Sequence, residues 1–150
     1  MQVPAPEGFE HEDGYWVGPP WWARIPGADF DLFVSDGDDG PDADSLAFAE
    51  GVLPRVGELR EATARYLEGV KVSWIPRMDA ESAQLVSLFC DAGSRTVILE
   101  LNWEVDLDHL WYVEFRDTPA QGLRPVGFGM RGWGSESRPV WRPPYRSVNG

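Results

Sequence analysis

Apolar residues return along this chain with two periods, and the switch between them marks the elements. Asp29-Phe30-Asp31-Leu32-Phe33-Val34-Ser35 alternates, with Phe30, Leu32 and Val34 on one face and Asp29 and Asp31 on the other. That is the period-two pattern of a half-buried strand. From Leu46 the spacing becomes three and four, through Ala49, Val52 or Leu53, Val56, Leu59, Thr63, Tyr66 or Leu67 and Val70. This is the stripe of an amphipathic helix. Asp44 or Ser45 is placed to cap its start, and Gly69 to stop it. Pro54 lies inside the stripe, where its missing N–H and its ring predict a kink, or two abutting helices with Pro54 near the start of the second. Alternation then resumes. Val70 to Ile75 is a candidate strand closed by Pro76. Gln84 to Asp91, Arg95 to Trp103 and Leu110 to Asp117 read as an antiparallel meander, turning at Asp91-Ala92-Gly93-Ser94 and again between Glu104 and His109. Val97, Leu99, Leu101 and Trp103 share a face of the middle strand, and Trp111, Val113 and Phe115 a face of the last.

The flanks are less regular. Gly14 to Ile25 reads as two short strands around a Gly18-Pro19-Pro20 turn, and residues 1–13, rich in Pro and Glu, as loose chain. Residues 125–134 add an edge strand through Val126 and Phe128, loosened by glycines. The expected fold is α+β, an antiparallel sheet of about five to six strands with one face covered by one long or kinked helix, or a helix pair. Residues 1–137 are assigned to a single acidic domain and 138–150, with its repeated Pro and Arg, to a C-terminal tail of polyproline character.

The charge distribution adds what periodicity cannot. Asp and Glu total 25 against 13 Lys and Arg, a formal charge of −12. Residues 1–50 hold twelve acids and one base, Arg24, a balance of −11, whereas residues 118–150 hold five arginines and one acid, Glu136, a balance of +4. Nucleic acid and anionic lipid are repelled by such a chain, while a basic protein is drawn to it. No apolar run approaches the roughly 18 residues of a membrane helix, and Met1-Gln2-Val3-Pro4 lacks the basic and apolar regions of a signal peptide. The expected location is therefore the cytoplasm. Cys90, the single cysteine, lies in the apolar run Leu85 to Cys90 and is expected to be a buried small hydrophobe.

Acidic clusters, two histidines and a glycine-rich stretch supply the candidate chemistry. Asp36-Gly37-Asp38-Asp39-Gly40-Pro41-Asp42-Ala43-Asp44 invites a calcium reading, but counted from Asp36 the fifth, sixth and twelfth positions of an EF-hand loop fall on Gly40, Pro41 and Ala47. A zinc site from Asp106, Asp108 and His109 lacks a nearby fourth ligand. His11 and His109 stand near no nucleophile elbow. Gly127-Phe128-Gly129-Met130-Arg131-Gly132 spells a dinucleotide fingerprint without the strand–helix setting that gives it meaning. Glu100 and Glu114 fall on the face opposite Val97 and Trp111, which reads as a solvated face. No metal and no cofactor is expected. Eight tryptophans remain, of which Trp21 and Trp22, crowded beside a Pro turn, suit a protein contact.

The order of elements resembles a family of bacterial domains that includes immunity proteins against polymorphic or type VI-secreted toxins. The resemblance runs over residues 20–130. It is carried by Trp22-Ala23-Arg24-Ile25 before Phe30 to Val34, Asp42 to Leu46, Leu59, Ala64-Arg65-Tyr66-Leu67, and Asp108-His109-Leu110-Trp111. Residues from Pro139 have no counterpart. The resemblance brings no catalytic residue; it implies a small acidic protein that blocks a toxin by occlusion. Charge and resemblance together point to a non-enzymatic immunity protein whose partner is a basic protein, a cognate toxin. The expected contact residues are Asp36, Asp38, Asp39, Asp42, Asp44, Trp21, Trp22, Glu104, Asp106 and Asp108. Two alternatives are a small-ligand or peptide-binding module, marked by a deep apolar pocket, and a carboxylate-dependent hydrolase, marked by converging acids with raised pKa values.

Overall fold

A computed structural model describes residues 8–12, 15–18, 30–35, 40–69, 83–103 and 106–132. Seven strands, β1 (Glu10–Glu12), β2 (Tyr15–Gly18), β3 (Asp31–Ser35), β4 (Ala83–Asp91), β5 (Thr96–Trp103), β6 (Asp106–Thr118) and β7 (Gly122–Gly132), form one sheet in chain order. Every adjacent pair is antiparallel except β3 and β4, which are parallel. A parallel pair needs a crossover, and the helical segment between these two strands belongs to it. It comprises α1 (Ala43–Val52), a 3-10 turn at Leu53–Arg55 and α2 (Val56–Gly69). The α+β class is confirmed, with more strands than the sequence suggested and with the sheet dominant. Pro54 sits second in the 3-10 turn, where its absent N–H interrupts no α-helical ladder. α1 packs on β3 and β4, and α2 on β7.

Several boundaries move. Glu10–Glu12 pairs with Tyr15–Val17, so part of the segment expected to be loose is an edge strand. The supposed turn from Glu104 to His109 shrinks, because the register Trp103↔Asp106 leaves two residues between β5 and β6. Polar residues at Asp106 and Asp108 had imitated a turn, but alternating polar positions fit a strand equally well. Of the two strands expected in 14–25, Tyr15–Gly18 is seen and residues 21–25 lie outside the described residues, as do the candidate strand at 70–75 and the tail.

The helix-side core comprises Leu32 and Val34 of β3, Leu88 and Cys90 of β4, Val97, Leu99 and Leu101 of β5, and Trp111, Val113 and Phe115 of β6, closed by Leu46, Ala49, Leu53, Leu59 and Leu67. A bulge between Leu85 and Ser87 lets Leu85 join this face while Ser87 turns to the other. A second bulge, opposite Glu114 and Phe115, singles out Val126. Val126 is 45% exposed, whereas Phe128 stacks on Trp111 at 6.1 Å. The opposite face is not the open surface that a single covering helix implies. Tyr15, Phe33, Phe89, Ile98 and Tyr112 form a second buried cluster there. Phe33 is accordingly buried along with Leu32 and Val34, so β3 is buried on both faces.

Candidate functional site

The aspartate-rich loop opens from the C-terminal end of β3 and is closed at its base. Asp42 N–H donates to the Ser35 carbonyl at 3.0 Å. Asp42, rather than Asp44 or Ser45, is the helix N-cap; its φ and ψ of −63° and 122° are extended, and its Oδ2 accepts from Ser45 N–H at 3.0 Å and Ser45 Oγ–H at 2.8 Å. Ser45 is fully buried because its Oγ also accepts from Ala92 N–H at 2.9 Å, tying α1 to the β4–β5 turn. Asp91 joins the two strands at the same level. It accepts from Ser35 Oγ–H, and its other carboxylate oxygen accepts from Ser94 N–H at 2.8 Å and from Ser94 Oγ–H. Asp91 had been read only as a turn residue. The Asp-x-x-Ser spacing of a side-chain-closed turn was its available signal, but the bond to Ser35 across 56 positions had none. Asp44 is exposed in the first turn of α1, where the helix dipole favours it. Asp36, Asp38 and Asp39 lie outside the described residues.

The topology divides the proposed contact set between two ends of the sheet. Ser35, Asp91, the start of β5, the end of β6, the start of β7 and the cap of α1 lie at one end, together with Asp42 and Asp44. Asp106 opens β6 at the other end, opposite Trp103, with Asp108 two positions on. The eight residues of β5 separate the ends, about 24 Å at strand rise. Glu104, Trp21 and Trp22 are outside the described residues. The sequence grouped these acids by sign alone; the strand directions do not bring them into one patch.

The second face of the sheet corrects another expectation. Glu100 and Glu114 do point away from the helices, but they are buried, with 1% and 4% relative exposure. Register sets Glu100 opposite Tyr112 and Glu114 opposite Ile98, so the two acids are diagonal neighbours on adjacent strands. Ser87 Oγ–H lies 3.4 Å from Glu100 Oε1, and Arg116 Nε–H donates to Glu114 Oε2 at 2.8 Å. Burial raises the Glu114 carboxyl above its usual range, and the bond and charge of Arg116 pull it partly back. Tyr112 lies across Gly129, where a Cβ would collide with the phenol; this close approach requires glycine on β7. Alternation gave the correct face and the wrong exposure, since periodicity does not reveal what that face packs against.

Cys90 is fully buried, and that burial drives its thiol far above the ordinary range, leaving it a poor nucleophile. Among the described residues no three His, Cys, Asp or Glu side chains converge as a metal would require. The glycine motif at 127–132 runs along β7 instead of opening a helix, so its N–H groups make no phosphate cradle. No described helix is long and apolar enough to cross a membrane. No family model, curated protein or solved structure gives a significant match to the chain.

Proposed function

We propose that this protein is an immunity-type inhibitor, which binds a basic protein, a cognate secreted toxin, in the cytoplasm and occludes its working surface without catalysis. One observation carries the reading: the charge of −11 over residues 1–50 includes five aspartates within a nine-residue stretch whose base is closed by the Asp42–Ser35 bond. A loop anchored at its base loses less entropy on docking. Concentrated negative charge steers a basic partner and raises the association rate. The contact is assigned to Asp36, Asp38, Asp39, Asp42 and Asp44. Asp106 and Asp108, at the other end of the sheet, form a separate candidate surface; Trp21, Trp22 and Glu104, outside the described residues, stay in the proposed contact set.

The test uses the protein encoded beside this chain in its native genome. Co-expression should rescue growth from that protein's toxicity. Replacing Asp36, Asp38 and Asp39 with Lys should slow association by about tenfold or more at low salt and flatten its salt dependence. Unchanged kinetics in the triple variant would remove the loop from the interface.

A second reading, a carboxylate-dependent hydrolase, draws on the buried Glu100 and Glu114. Under the inhibitor reading, Glu100→Gln and Glu114→Gln keep full protection. Loss of protection in a variant that remains folded would favour the hydrolase.

A further inference from the structure

Among the described residues the sheet has two edges, β1 and β7. β1 is three residues long, and Glu10 and His11 within it are exposed; so short and polar an edge gives another strand little to pair with. β7 is eleven residues long. An edge of that length presents a row of N–H and C=O groups on which a second copy of the chain could extend the sheet. Val126, the one large apolar side chain exposed among the described residues, lies on it. Yet the row is broken beside Val126. Pro125 carries no N–H to donate. The register passes from Phe115↔Pro125 to Glu114↔Gly127, which leaves Val126 as one residue too many. An extra residue shifts the in-and-out alternation of a strand by one step. The outward N–H and C=O groups of 122–125 are therefore out of phase with those of 127–132.

We infer that Pro125 and the Val126 bulge form a stop on the outer edge of β7, which keeps a second copy of this chain from adding a strand to the sheet. A regular strand can pair with the four residues before the bulge or with the six beyond it, but not with both. Two strands paired over so short a length are marginal in water. The longer stretch is weakened further by Gly127, Gly129 and Gly132, which offer no side chains for cross-strand contact. Gly129 is held to that identity, because a Cβ there would collide with the Tyr112 phenol. Arg124, exposed beside the break, adds a charge of the kind that discourages edge pairing.

One variant removes the stop by combining deletion of Val126, which restores a single phase, with Pro125→Val, which restores the N–H. Sedimentation equilibrium compares it with the native protein. The variant should self-associate about tenfold or more tightly, its average mass climbing with concentration. Amide exchange locates the contact: the amides from Gly127 to Gly132 should slow as the variant associates. A folded variant that associates no more tightly than the native protein, or that does so without slowing these amides, overturns the inference. The native protein supplies a second measurement that needs no altered chain. Its outer edge is unpaired if the stop works, so every second amide from Gly127 to Gly132 should exchange fast. Uniformly slow exchange there, or outer amides that slow as the native protein is concentrated, equally overturns it.

Discussion

The two faces of the sheet use the same strands and solve burial differently. Under the helices, Leu99, Trp111 and Phe115 are wholly buried in an almost entirely apolar layer. On the reverse, Phe89 and Ile98 are just as buried, but beside them lie Ser87, Thr96, Glu100 and Glu114, each at most 4% exposed. Apolar contacts tolerate small changes of position, whereas a buried carboxylate depends on directed partners. The helix face is thus built for stability, and the reverse face holds polar groups at a cost that its hydrogen bonds must offset.

Mutations can break or sharpen that contrast. The largest effect is expected at Trp111→Ala, which empties the helix-side layer where Trp111 stacks on Phe128; the loss should be about 3–5 kcal/mol in a urea titration. A loss under 1 kcal/mol would mean that this layer is not the core. Next is Ser45→Ala, which strips the Ala92 N–H and the Asp42 carboxylate of a partner. It should cost about 1–3 kcal/mol and loosen the base of the aspartate loop, measurable as faster amide exchange at Ala92 and Ser45.

Two smaller changes should stabilise. Thr63 is fully buried on α2, and its Oγ1 has no hydrogen-bond partner among the described residues. Thr63→Val removes that unsatisfied group and should gain about 1 kcal/mol, seen as a higher Tm. Glu114→Gln tests the reverse face through pH. Its folded-state pKa is raised, mainly by burial, so its contribution to stability is present below the ordinary glutamate value of about 4.3 and is lost as pH rises through the raised value. Glutamine does not ionise. The stability of the variant relative to the native protein should therefore grow from acid to neutral pH, reaching about 1 kcal/mol or less. A difference independent of pH would show that the carboxyl titrates normally.

Much of the architecture was legible residue by residue. The three-and-four spacing from Leu46 to Leu67 located the helices, and Pro54 located their junction, because both depend on local geometry. Alternation from Val97 to Leu101 and from Trp111 to Phe115 gave two strands and their faces. The bulge that sends Leu85 and Ser87 to opposite faces could not be read, since one extra residue breaks the period without changing composition. Within the candidate site, Asp42 was correctly placed near the helix start and its role as cap was missed. Asp, Ser and Asn caps are nearly equivalent in preference, so tertiary bonds to Ser35 and Ala92 settled the choice.

By itself the sequence determined the charge of −11 over residues 1–50, the helix stripe and the faces of Val97 to Leu101 and of Trp111 to Phe115, because these follow from composition and the two backbone periods. Tertiary structure alone decided that Glu100 and Glu114 are buried, that the acids of 42–44 and of 106–108 belong to opposite ends, and that Val126 falls outside the register with β6. Burial, strand direction and cross-strand neighbours are relations between segments far apart in the chain, and no local period encodes them.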